Sequence, residues 1–166
     1  MNLTRKMVSE EELEHLSRCV ELAREALEAG DAPFGSVLVD QSGKVLQEDR
    51  NRTVTESNAS LHPEFTLALW AQKNLSPSER ATATVFTSGE HCPMCSSLHA
   101  YVGLDRIVYV SSSEQLVTWR EEFEVMGNSV APLAINKIAP GLSVEGPIEH
   151  LYDEVKELHR IKAGKS

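Results

Sequence analysis

The stretch Ala83-Thr-Val-Phe-Thr-Ser-Gly-Glu-His-Cys-Pro-Met-Cys95 contains a predicted strand followed by the start of a helix. The strand is expected over Ala83–Thr87, where β-branched and aromatic residues dominate. A helix should begin near Pro93 and end before Gly103, and a further strand should cover Arg106–Val110. A strand, a helix and another strand in this order predict parallel strands joined by a crossover.

The same alternation extends towards the N-terminus. Ser9 begins a capping-box pattern, and apolar residues at helical spacing continue to a glycine stop at Gly30. Two short strands, Ser36–Asp40 and Lys44–Glu48, are separated by a turn and should pair antiparallel. Another helix should run from about Leu61 to about Lys73. This order predicts an α/β fold with helices on the faces of a mixed central sheet.

The C-terminal third is less regular. Glu114–Phe123 is a candidate helix, Asn128–Pro140 resembles a loop with short regular pieces, and Pro147–Lys162 should be a closing helix. His150 and His159 lie among charged residues in that last helix and are expected to face solvent. With 166 residues and no repeat, residues 1–166 should form one domain.

Composition narrows the function classes. The chain has 16 Lys and Arg against 25 Asp and Glu, a formal net charge of −9, which makes nucleic acid an unlikely partner. Neither a signal-peptide run nor a bilayer-spanning segment is apparent, so a cytoplasmic protein without membrane contact is expected. Three cysteines argue against a disulfide framework, and Cys19 is expected to pack as a small apolar residue.

The close spacing of the two cysteines in Cys92-Pro-Met-Cys95 therefore needs an explanation other than a disulfide bond. The pair alone is equally compatible with a redox dithiol, half of a structural zinc site or part of a catalytic zinc site. A structural site usually requires a second pair or a nearby His-containing half-site. A thioredoxin-like module would place its pair after an early strand, whereas this pair lies past mid-chain.

Leu61-His62-Pro63-Glu64 favours the catalytic alternative. Helices that start at the same sheet edge can bring His62 beside Cys92 and Cys95, giving three ligands and one open position. Glu64 could reach the same cavity without ligating the metal, and could move protons there. Without a metal site, Glu64 would be interpreted as a first-turn helix carboxylate.

These motifs, His62-x-Glu64 and Cys92-x-x-Cys95, resemble the zinc signature of the cytidine and nucleobase deaminase superfamily. Thr87–Cys95 is similar to the corresponding segment of bacterial guanine deaminases and tRNA adenosine deaminases, and Ala32–Gly35 and Asn51-Arg52 resemble the preceding blocks. The resemblance implies a three-layer α/β/α sandwich, a Zn²⁺ cofactor, a small-molecule substrate and a homo-oligomer, either a homodimer or a larger assembly. It also implies that Asn51 hydrogen-bonds the substrate, although Asn51 could equally stabilise a turn. Phe34 lies in the first of these blocks and is expected in the core.

Two positions depart from the family pattern. Pro63 replaces the usual small residue between the His and the Glu, and it cannot supply the backbone N–H that cytosine-type enzymes offer their substrate. We therefore expect cytosine and cytidine to be poor substrates. His91 replaces the usual proline before the first cysteine, and it could contact substrate, support the metal site or be exposed. His99 is expected to pack or to lie at a dimer interface.

The sequence thus predicts a zinc-dependent hydrolytic deaminase, with metal ligands His62, Cys92 and Cys95, catalytic Glu64, and substrate contacts at Asn51, Pro63 and His91. Its substrate would be a small nucleobase, nucleoside or related amino-heterocycle, with a guanine-like base favoured over cytosine. Two alternatives are a tRNA-specific adenosine deaminase and a non-catalytic, zinc-stabilised binding protein.

Overall fold

The computed structural model describes residues 8–165. Its elements in chain order are α1 Glu10–Ala29, β1 Gly35–Val39, β2 Val45–Arg50, α2 Pro63–Asn74, α3 Pro77–Arg80, β3 Thr84–Gly89, α4 Pro93–Tyr101, β4 Arg106–Ser111, α5 Ser113–Glu122, α6 Ile135–Ile138, β5 Val144–Glu145, a 3₁₀ turn at Glu149–Leu151, and α7 Tyr152–Lys162. The sheet order is β2-β1-β3-β4-β5. β1 is antiparallel to β2 and β3, whereas β3, β4 and β5 are parallel, which confirms the predicted mixed sheet.

Two apolar layers cover the two faces of this sheet. On one face, residues of α1, α5 and α7 pack against Val37, Phe86 and Val108. On the other face, residues of α2 and α4 pack against Leu38 and Val85. Neighbouring strand residues contribute to opposite layers because side chains alternate along a strand. The three-layer α/β/α sandwich is therefore confirmed.

Helix α2 begins later than its apolar pattern suggested. His62 has extended backbone angles, φ −79° and ψ 138°, and caps the helix, while Pro63 occupies the first turn. A following proline disfavours helical backbone angles, so Pro63 favours the extended conformation of His62. This boundary leaves His62 at the sheet edge rather than within the helix.

The closing helix is also shorter than predicted and starts at Tyr152. The backbone N–H of Ile148 donates to the carbonyls of Tyr109 and Val110 on β4, so this segment is bound to the sheet edge and does not form an α-helix. His150 is exposed as expected. The expectation for His159 is wrong, because its ring is partly buried and lies 5.1 Å from the ring of Phe34 and 5.6 Å from that of Trp119.

Within the described residues, no helix is both long enough and apolar enough to cross a bilayer. Cys19, a residue of α1, is fully buried in the apolar layer that contains the buried face of this helix, as its apolar setting predicted.

Candidate active site

Three side chains that could hold a metal ion meet where α2 and α4 begin. His62 caps α2, Cys92 caps α4, and Cys95 lies in the first turn of α4. The Nδ1 atom of His62 is 3.7 Å from Cys92 Sγ and 3.6 Å from Cys95 Sγ, and the two sulfurs are 3.4 Å apart. The helices start at the same edge of the sheet, so residues 30 positions apart in the chain become neighbours.

The donor set and its spacing fit a tetrahedral metal ion. Usual zinc–sulfur and zinc–nitrogen bond lengths at tetrahedral angles give ligand separations of roughly 3.6 to 3.8 Å. The separations between His62, Cys92 and Cys95 are close to those values, and all three ligand atoms lie within 4.8 Å of one another. Three protein ligands leave a fourth position for water or substrate, which is the pattern of a catalytic site.

The two thiols differ in their ease of ionisation. The hydrogen bond between the sulfurs lowers the pKa of Cys92 to about 4, against the opposing effect of burial and with help from His62. The same hydrogen bond, together with burial, raises the pKa of Cys95 well above its usual value. One sulfur is thus readily available as the thiolate that a metal ligand must be.

Glu64 is a buried carboxylate beside these ligands. Its side chain is 4% exposed, and burial raises its pKa. Its Oε1 accepts a hydrogen bond from Thr87 Oγ1 at 3.0 Å, and its Oε2 lies 3.8 Å from Cys95 Sγ. Thr87 lies on β3, the middle strand of the sheet, so the carboxylate is bonded to the centre of the fold. A raised pKa suits a group that must both accept and donate a proton near neutral pH.

His62, Glu64 and Cys92 line a cavity of about 100 Å³. Its walls come from Phe34 before β1, the loop before α2, the junction between β3 and α4, one face of α5 and the loop that follows α5. They comprise Phe34, Asn51, His62, Pro63, Glu64, Glu90, Cys92, Pro93, Ser113, Leu116, Val117, Arg120, Asn128, Val130, Ala131 and Pro132. Phe34 is only partly buried and lines this cavity, so the expectation that it belongs to the core is wrong.

Asn51 lies at the cavity wall and is 3% exposed. Its Oδ1 accepts from the backbone N–H of Thr53 at 3.0 Å and from Thr53 Oγ1 at 2.9 Å. A backbone N–H can only donate, so these contacts fix which amide atom is oxygen. They also occupy both lone pairs, and the amide nitrogen is the group left to contact a ligand. Asn51 therefore both stabilises a turn and faces the cavity.

Pro63 and His91 take different positions. Pro63 is buried at the first turn of α2 and lines the cavity, as its predicted role requires. His91 is fully buried and absent from the cavity wall, with its ring 5.2 Å from the ring of His99. Its position gives no support to a substrate contact. His99 is fully buried, in agreement with a packing role.

Glu90 also lines the cavity, although its sequence context predicts no role for it. Its Oε2 accepts from the backbone N–H of Ser113 at 2.8 Å, and its Oε1 accepts from that of Ile135 at 2.9 Å. One carboxylate thereby fixes the starts of α5 and α6 to the end of β3. Glu90 precedes the first cysteine by two residues, but nothing local in the sequence indicates these distant partners.

Comparison with known proteins agrees with this geometry. Residues 9–111 match the model of the cytidine and deoxycytidylate deaminase zinc-binding region, and the chain belongs to this family. A probable cytosine deaminase of Schizosaccharomyces pombe is 28% identical over 78% of this chain and 75% of its own length. The guanine deaminase of Bacillus subtilis is 37% identical over 48% of this chain and 51% of its own length. tRNA-specific adenosine deaminases are also among the matched proteins.

Solved structures share the fold over nearly the whole chain. The guanine deaminase of Nitrosomonas europaea superposes with a TM-score of 0.74, covering 95% of this chain and 86% of that one, at 20% identity. At that identity the likeness establishes the fold, a cytidine deaminase-like α/β sandwich, and leaves substrate choice to the residues of the cavity.

Proposed function

We propose that this protein is a zinc-dependent hydrolytic deaminase that releases ammonia from a small amino-heterocycle. The observation that carries the proposal is the buried carboxylate of Glu64, held by Thr87 beside the three ligands and open to the cavity. A purely structural metal site has no need of such a carboxylate, which argues against a non-catalytic binding protein.

His62, Cys92 and Cys95 would hold the zinc ion, which when bound supplies Lewis acidity that lowers the pKa of a water molecule towards about 7. Glu64 takes a proton from the attacking water and delivers it to the ring nitrogen of the amidine. It then carries the second proton of that water to the exocyclic amine, whose C–N bond breaks to release ammonia. The products are ammonia and the corresponding ring carbonyl compound.

We propose a guanine-like base in preference to cytosine. Pro63 lines the cavity and offers no N–H, so a substrate that needs a donor at that point is disfavoured. Phe34 and Leu116 add apolar surface suited to a flat ring. Asn51 offers its amide nitrogen, which can donate to a ring nitrogen or carbonyl. The similarity to the Bacillus subtilis guanine deaminase agrees with this choice.

Ammonia release by zinc-loaded protein tests the proposal. The panel is guanine, cytosine, isocytosine, adenine and their nucleosides, and guanine should be turned over faster than cytosine. Glu64→Gln keeps the side-chain size and should abolish turnover while zinc remains bound. Glu28→Gln, at an exposed position on α1, is the matched control. Activity that survives Glu64→Gln contradicts the mechanism, and equal rates on cytosine and guanine contradict the substrate preference.

A tRNA-specific adenosine deaminase is the second candidate, because such enzymes are among the matched proteins. The C-terminal cations that could contact RNA are already engaged. Lys156 pairs with Glu122 at 2.8 Å, Arg160 with Glu157 at 2.6 Å, and Lys165 with Glu124 at 2.6 Å. A gel-shift assay with tRNA at increasing salt tests this alternative, and salt-sensitive binding would support it over the small-molecule function.

Two further features complete the proposal. The family resemblance implies a homodimer or a larger homo-oligomer, which light scattering on purified protein would detect. The cytoplasm is the proposed location, and fractionation of the source cells would test it. Both stay predictions from the sequence.

A further inference from the structure

One face of helix α5 forms a wall of the cavity. Ser113, Leu116, Val117 and Arg120 all line it, and their spacing of three, four and seven residues places them along a single helical stripe. The stripe is polar at its start, apolar in the middle and cationic at its end.

The guanidinium of Arg120 is unusual in this protein because nothing in the described residues neutralises it. Six arginines, at positions 18, 24, 50, 52, 106 and 160, each lie within 4.0 Å of a carboxylate oxygen. Arg80 donates to the backbone carbonyls of Leu75 and Val102. Within residues 8–165, Arg120 has neither a carboxylate at that distance nor a hydrogen-bond acceptor.

This lack of a partner is energetically unfavourable for a group in that position. Arg120 is only partly exposed, and burial lowers its pKa. A charge that loses part of its hydration needs a compensating partner, and 25 acidic residues were available to supply one. The planar guanidinium matches a carboxylate or phosphate, which it can bind through two parallel hydrogen bonds. A ligand with such a group would restore the missing compensation.

The position of Arg120 relative to the metal ligands defines where that group would lie. The backbone N–H of Ser113, at the start of α5, donates to the carboxylate of Glu90. Glu90 precedes Cys92 by two positions in the chain, so this bond holds the start of α5 near the metal ligands. Arg120 follows seven residues later, roughly 10 Å along the helix axis. Leu116 and Val117 fill the interval. A ring that reacts near Glu64 would therefore extend past apolar side chains and present its far end to Arg120.

We propose that Arg120 determines substrate specificity, and that the substrate is an amino-heterocycle with a carboxylate or phosphate group remote from the reacting carbon. This inference rests on the proposed deaminase function and specifies its substrate class. Arg120 binds the oxyanion and takes no part in proton transfer.

Matched ligand pairs test the inference by binding as well as by turnover. The pairs are pterin and pterin-6-carboxylate, cytosine and cytosine-5-carboxylate, and guanosine and guanosine 5′-monophosphate. Affinities are measured by calorimetry on the zinc-loaded Glu64→Gln protein, which binds without turnover, with and without Arg120→Gln. The same affinities are measured for the Arg120→Lys and Arg24→Gln substitutions in the Glu64→Gln protein. Arg24 is an exposed α1 arginine whose nearest carboxylate is 3.8 Å away, so it serves as the matched control.

In at least one pair, the charged member should bind at least tenfold more tightly than the neutral member. Arg120→Gln should remove that preference, Arg120→Lys should keep part of it, and Arg24→Gln should keep all of it. A preference in the first two pairs identifies a carboxylate, and one in the third a phosphate. Absence of any preference, or a preference that persists in Arg120→Gln, overturns the inference. Ammonia release from the neutral members by unmodified protein reports separately on the deaminase function.

Discussion

Thr87 Oγ1 lies 3.0 Å from Glu64 Oε1 and so connects the central strand to the first turn of α2. The hydroxyl of Ser36 donates to Thr87 Oγ1 at 2.9 Å, and the Thr87 hydroxyl has two acceptors at 3.0 Å, Glu64 Oε1 and the backbone carbonyl of Gly89. The carboxylate that we propose as the proton carrier is therefore oriented by a chain of two hydroxyls that reaches into the sheet. Neither hydroxyl contacts the cavity.

We expect Thr87→Val to lower kcat by roughly ten- to hundredfold, because Glu64 loses a charge-assisted hydrogen bond that is worth about 1.5 to 3 kcal/mol. Thr87→Ser keeps the hydroxyl and should retain most of the activity. Steady-state ammonia release measures both variants, with zinc content and thermal unfolding followed in parallel. An unchanged kcat in Thr87→Val would show that Glu64 is oriented by other contacts.

Removal of a ligand thiol should release the metal and destabilise the fold. Cys95→Ala leaves two ligands, and metal binding to a folded site contributes directly to folding free energy. We expect a zinc content well below one per chain, measured by mass spectrometry of the metal, and a lower Tm. Cys19→Ala removes a buried thiol that is outside the site and should keep zinc. Full zinc occupancy in Cys95→Ala is the contrary result.

The carboxylate of Asp31 should make stability depend on pH in acid. Burial would raise its pKa, but hydrogen bonds from Thr55 and Val54 and the guanidinium of Arg50 outweigh burial and lower the pKa from 3.8 to about 2. A lowered pKa means that the folded state favours the charged form. The stabilisation is present above the unfolded-state value and is lost as pH falls from about 4 towards about 2.

We expect Asp31→Asn to reduce the free energy of unfolding by about 2 kcal/mol at neutral pH, which corresponds to that pKa difference. The deficit should shrink as the pH falls from about 4 towards about 2, since the wild-type carboxylate then becomes neutral as well. Urea unfolding at several pH values measures it, with the exposed Asp153→Asn as control. A deficit that is constant across this range would mean that the charge of Asp31 is unimportant.

The regular elements of this fold could be predicted because their signals are local. The capping box at Ser9, the glycine stop at Gly30 and the strand–helix junction before Pro93 each depend on residues a few positions apart. The two-residue strand Val144–Glu145 has no such signal, since it exists only through pairing with β4. The start of α2 was misplaced because the apolar pattern begins at Leu61, before the proline restriction takes effect.

The residues of the site also differ in whether their sequence signals are local. His62, Glu64 and the two cysteines form short motifs, and the structure brings them together. Thr87 and Glu90 act through partners at least 23 residues away, and Arg120 is notable for having no partner among the described residues. No spacing rule identifies these three residues. The sequence left three positions open for His91, and its motif does not indicate which of them the fold selects. His91 lies between β3 and α4 and is fully buried, whereas Cys92, the next residue, lines the cavity.

Glu90 should control how firmly α5 is held at the cavity. Glu90→Gln replaces one acceptor oxygen with a donor amide, so at most one of the bonds from Ser113 and Ile135 survives. We expect faster hydrogen–deuterium exchange at one or both of these backbone amides and a KM several-fold higher, with a smaller change in kcat. Glu114→Gln, an exposed position in the first turn of α5, is the control and should alter neither quantity. If exchange at both amides stays at the wild-type rate, the loops around the cavity are fixed by contacts other than Glu90.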